Sequence, residues 1–154
     1  MTTTTKVKSK SKAKSKAKTK SASADAPLEI VYEELVEMMM RHAPPFRTDI
    51  ACMSGGKKSF QLTVPKPVAV PGVYGGKPVD LQMAAAILQK DFVGFYLMCI
   101  YMNDAMKKKL SPALLRLLQG KTCFHLKRLD DGLRKDIAGA LELGKKSYSA
   151  RGWM

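Results

Sequence analysis

The chain of 154 residues predicts an α+β domain, a mainly antiparallel sheet with packed helices, preceded by a disordered basic tail. Three observations carry this expectation. Apolar residues recur at helical spacing near both ends of the body, after Pro27 and after Asp130. Between them lie short alternating runs joined by turns too short for a helical crossover, so successive strands pair antiparallel. Finally, residues 1–26 hold too few large apolar side chains to offset the entropy of ordering them, which places the folded domain at 27–154.

The tail is a lysine comb: Lys6, Lys8, Lys10, Lys12, Lys14, Lys16, Lys18 and Lys20 alternate with Ser, Ala, Thr and one valine. Its eight lysines against Asp25 leave +7, and the 19 basic and 12 acidic residues of the body leave another +7, which together make the chain's +14. Such a comb reads either as a solubilising extension or as a sequence-blind nucleic-acid tether. If every lysine met a phosphate, binding would fall with salt at a log–log slope of roughly −7. A transit peptide fits the serines but not the absence of arginine or of an apolar helical face.

In the body, Asp25 can cap a first helix that tolerates Pro27 in its opening turn, with Leu28, Val31, Leu35 and Met38 or Met39 on one stripe. Pro44-Pro45 ends it, because a residue before proline avoids the helical region. Phe60, Leu62 and Val64 alternate with polar residues as a strand, and prolines 65, 67 and 71 hold the next segment to edge or loop positions. After the Gly75-Gly76-Lys77 turn, a strand is expected over Val79–Leu88, with Val79, Leu81, Met83, Ala85 and Ile87 on one face. Gln89-Lys90-Asp91 turns the chain into Phe92–Tyr101, apolar on both faces, which predicts a central strand covered on both sides or a strand beside a ligand pocket. Its face at Val93 and Phe95 needs closing by a helix or by a second subunit, so a homo-oligomer stays compatible. Asn103 caps a short helix, Ser111-Pro112 starts another that Gly120 ends, and Thr122–Lys127 forms a short strand. Asp130 caps the last helix, burying Leu133, Ile137 and Leu141 while Lys135, Lys145 and Lys146 face water.

Composition excludes several classes. Three cysteines without a CxxC supply neither a disulfide framework nor a four-cysteine zinc site, and they point to a reducing, cytoplasmic setting. The longest apolar run, Phe92–Met102, has 11 residues, short of the roughly 20 that span a bilayer, so no membrane partner is expected. Gly120-Lys121-Thr122 and Gly55-Gly56-Lys57-Lys58 both fail as phosphate loops: the first has Leu115 in place of the opening glycine, the second Lys58 where Ser or Thr must hold magnesium. No HExxH or GxSxG motif is present.

Gln89-Lys90-Asp91 leading into Phe95–Tyr101, followed by Gly120-Lys121-Thr122-Cys123-Phe124-His125-Leu126-Lys127-Arg128-Leu129-Asp130-Asp131, resembles the YdhG-like family over roughly residues 28–143. That family is known chiefly as a domain of unknown function. The resemblance implies a compact cytoplasmic α+β domain related to a bacterial frataxin-like iron chaperone, and it implies no known active site. The family often has Asn-His where Asp91-Phe92 stand here, and often Arg in place of His125.

Frataxin-like iron handling would need exposed oxygen ligands, for which Glu29, Glu33, Glu34 and Glu37 are the one cluster in the sequence. The bland reading of the same residues is a solvated helix face pairing with lysines. Cys123 and His125, two apart on a strand, share a face, yet two ligands make no metal site without help from a residue such as His42 or Cys52. Nucleophilic catalysis meets the same shortfall, and the rings of the aromatic strand are expected in the core rather than under nucleic-acid bases. Lys107-Lys108-Lys109 reads as a solvated basic patch. The sequence thus predicts a non-enzymatic binding or carrier module, with iron or a small ligand as cargo; the alternative is a nucleic-acid accessory protein that binds through its tail.

Overall fold

The computed structural model describes residues 27–53, 57–101 and 103–154. The lysine comb, Asp25 and Gly55-Gly56 lie outside them. The elements are α1 (Leu28–Met40), β1 (Arg47–Met53), β2 (Lys57–Thr63), β3 (Val68–Ala69), β4 (Pro78–Val79), β5 (Gln82–Leu88), β6 (Val93–Leu97), α2 (Asp104–Lys107), α3 (Pro112–Leu115), β7 (Leu118–Gln119), β8 (Cys123–Leu126) and α4 (Asp131–Ala150). Six strands form one antiparallel sheet in the order β1-β2-β5-β6-β8-β7, and β3 and β4 form a separate ribbon. The α+β class is therefore the observed one. Among the described residues no helix is long and apolar enough to cross a membrane.

The two long helices lie side by side on one sheet face. They run parallel, since Glu34 midway along α1 meets Arg134 in the first turn of α4, and His42 just past the end of α1 meets Glu142 farther along α4. Val31, Leu35 and Met39 of α1 and Leu133, Ile137, Ala140 and Leu141 of α4 are buried, as 3.6-residue spacing requires. Opposite them, register puts Phe60, Leu62, Ala84, Ala86, Phe95, Leu97, Phe124 and Leu126 on one face of the sheet, all at 0–1% exposure. The face at Val93 and Phe95 is closed by these helices. Asp130 caps α4 as expected, its Oδ1 accepting from the Leu133 amide at 2.7 Å.

Three expectations need correction, and one strand lies where none is expected. Phe92–Tyr101 is not one central strand: β6 stops at Leu97 and a 3₁₀ turn over Met98–Ile100 buries Cys99 and Ile100. The two-sided apolar pattern arose because a strand and a tight turn, with different periods, both feed the core. The single strand expected over Val79–Leu88 is split, and its alternation is broken by a bulge where Leu62 pairs Ala84 but Thr63 pairs Gln82. The extra residue, Met83, turns with Ala84 toward α4, so Ala85 and Ile87 take the other face. Gly120 does not end a helix; at φ 76° it closes the turn between β7 and β8. Lastly, β1 was not foreseen, because Arg47–Met53 has no apolar alternation and Ile50 is 82% exposed on the sheet's outer strand.

Candidate functional site

Residues 105–129 carry seven basic side chains and no acid: Lys107, Lys108, Lys109, Arg116, Lys121, Lys127 and Arg128. The rest of the body is balanced, so this stretch alone carries the domain's net +7. All seven are exposed, and among the described residues none lies within 4 Å of a carboxylate. Lys121 instead sits over the Tyr101 ring at 5.3 Å.

Local sequence explains the placement. Ser111 caps α3 and Pro112 opens it, but one turn later the chain leaves the helix and presents Arg116 to solvent. The β7-β8 hairpin then forms the sheet edge. Within β8, Phe124 and Leu126 enter the core, so alternation sends Cys123 and His125 to the opposite face, with Lys127 in the same phase. Between this edge and the first turns of α4 lies an open cleft of about 820 Å³. Arg116, Leu117, Gln119, His125, Lys127 and Arg128 line one side, and Asp130, Leu133 and Asp136 the other. The Asp130 carboxylate is committed to the α4 cap.

Among the described residues no side-chain hydrogen bond holds His125. It is half-buried, its ring lies on Phe92 at 3.7 Å between centroids and 12° from parallel, and it walls the cleft. Phe92 and Tyr96 are half-buried on that same face, whereas Phe95 is in the core as expected. Opposite His125 in the ladder stands Gly94, where the Tyr96 ring folds over the strand: a Cβ there would meet Tyr96 Cε2 at 2.9 Å.

Cys123 and His125 do share a face, yet they engage different partners. The Tyr96 hydroxyl donates to Cys123 Sγ; burial raises both groups, Tyr96 to about 12, and at Cys123 it outweighs the opposing effect of that hydrogen bond. The thiol is thus held protonated, opposite to what a nucleophile or a metal ligand needs. His42 stands elsewhere, at the end of α1, with Nδ1 3.6 Å from Glu142. Among the described residues no three His, Cys, Asp or Glu side chains gather as metal ligands.

The four glutamates of α1 do not act as one surface. Glu34 turns inward and accepts from Arg134 Nη2 at 2.9 Å and Nε at 3.1 Å. Glu29, Glu33 and Glu37 are exposed, and Glu37 lies 3.6 Å from Arg41. The basic edge was missed in the sequence, although counting charge by segment would have found it; the Phe92–His125 stack left no local signal. No protein-family model, curated protein or solved structure matches this chain.

Proposed function

We propose that this protein is a non-enzymatic binding module that takes nucleic acid on the basic edge of its sheet, with the lysine comb adding non-specific affinity. The observation that carries the reading is the segregation of the domain's whole net charge into seven exposed cations, free of carboxylate partners among the described residues, three of which, Arg116, Lys127 and Arg128, line one cleft. Cations left unpaired on one side of a fold raise the local potential and favour phosphate backbones, which bind by releasing counterions. A protonated, hydrogen-bonded Cys123 beside a histidine stacked on a phenylalanine supports binding rather than catalysis. An iron carrier is the weaker reading: Glu34 is engaged by Arg134 and Glu37 by Arg41, which leaves Glu29 and Glu33.

The test is the salt dependence of duplex DNA binding by the full chain. Replacing Arg116, Lys127 and Arg128 together with Gln should flatten the slope of log K against log salt by about one unit per lost phosphate contact. Deleting residues 1–24 should remove a separate share of that slope. An unchanged slope and affinity in the triple variant refute the basic edge as the site.

A further inference from the structure

Resting on that reading, we infer that the cleft takes an unpaired base, stacked on His125, so that the domain grips single-stranded nucleic acid through a base and its phosphates together. Two independent features of the cleft converge on this ligand. Its cations, Arg116, Lys127 and Arg128, are exposed and suited to phosphate oxygens. Its wall also contains an aromatic ring already held flat. Phe92 covers one face of the His125 ring at 3.7 Å and 12° from parallel, which holds the ring's plane.

A ring fixed by a neighbour loses little freedom when a base lands on it, which is what makes an aromatic platform effective for bases of any sequence. The register of β6 and β8 supplies this arrangement, since His125 stands opposite Gly94, over which the Tyr96 ring folds, and Phe92 lies two residues along on the same face. Duplex DNA hides its base faces in the stack, so it can use the cations but not the ring. The cleft volume of about 820 Å³ is roomy enough for a nucleotide unit. Gln119, on the same wall, adds an amide able to hydrogen-bond a base edge.

The experiment compares full-length wild type, His125→Ala and His125→Phe for binding to fluorescein-labelled oligothymidylate and to a duplex of the same length near physiological salt. His125→Ala should weaken single-strand binding about tenfold, the size expected for one lost base stack, with the duplex affinity and the single-strand salt slope unchanged. His125→Phe, which keeps a ring, should restore single-strand binding. Wild-type single-strand affinity in His125→Ala, an equal loss on the duplex, or failure of His125→Phe to restore binding would overturn the inference. In any of these cases a flattened duplex slope in the Arg116, Lys127, Arg128 variant leaves the basic edge standing. Failure of the wild type to bind either probe removes both.

Discussion

Alanine at Gly144 and at Gly139, on the same helix, should change stability in opposite directions. At either site alanine removes the entropic cost of a helical glycine, a gain of about 1 kcal/mol. At Gly139 the added Cβ meets nothing within 4 Å, so Gly139→Ala should keep that gain. At Gly144 the Cβ would stand 2.9 Å from Met83 Sδ, 3.5 Å from Cys99 Sγ and 3.6 Å from Leu97 Cδ1. The first distance lies well inside the roughly 3.5–4.0 Å optimum for heavy atoms. Met83 is at 0% exposure on the β5 bulge, walled by the helix layer, and has no solvent to retreat into. Overpacking of this kind costs about 1–3 kcal/mol, and the flexible thioether sets it near the middle of that range. The net for Gly144→Ala is therefore about 1 kcal/mol of destabilisation, and the two variants should differ by about 2 kcal/mol. For a domain of this size that separates their melting temperatures by several degrees. Urea and thermal unfolding followed by Trp153 fluorescence suit the measurement, since this is the one tryptophan and it packs edge-on to Tyr148 at 5.1 Å. A Gly144→Ala protein as stable as Gly139→Ala would refute the packing argument. The double variant Met83→Ala, Gly144→Ala should lose less than the sum of its parts.

Tyr148→Phe removes the hydroxyl that donates to the Gln82 carbonyl at 2.8 Å beside the bulge, and should cost about 1 kcal/mol in urea unfolding with the helix content intact; no loss would mean that the bulge needs no such tie. Burial lowers the pKa of His42 in the fold and outweighs Glu142, so the unfolded chain takes up the proton first as pH falls below about 6.5. Stability is then full above that pH and declines as pH drops toward the lower folded value; His42→Gln should show a smaller decline between pH 7.5 and 5.5, read from urea midpoints at about those two pH values. Burial pushes Cys99 up to about 11 and raises Cys123, so in a Cys52→Ser background both thiols should react slowly with maleimide at neutral pH and quickly in urea; fast stoichiometric labelling of the folded protein would contradict the packing around them.

Local periodicity encodes the helices and one strand face of this protein. Leu133, Ile137 and Leu141 behind Asp130 specify α4 with its cap, Val31 and Leu35 specify the buried stripe of α1, and Phe60 with Leu62 specify the inward face of β2. These together imply the α+β class. The charge asymmetry of residues 105–129 was also present in the sequence as a simple count. Contacts between distant segments set the remainder. β1 exists because β2 offers it a ladder, not because its own residues alternate, and Met83 faces the helices because a bulge sets the register there. The end of β6 at Leu97 is decided by the burial of Cys99 and Ile100 in the next turn. The cleft was equally out of reach: His125 meets Phe92 only once β8 pairs with β6, and Arg116 and Lys127 share a cleft wall only once the edge hairpin stands across the cleft from the first turns of α4. Spacing along a chain records which residues share a face of one element; which elements become neighbours is settled by non-local pairing and burial, whose free energy no single segment contains.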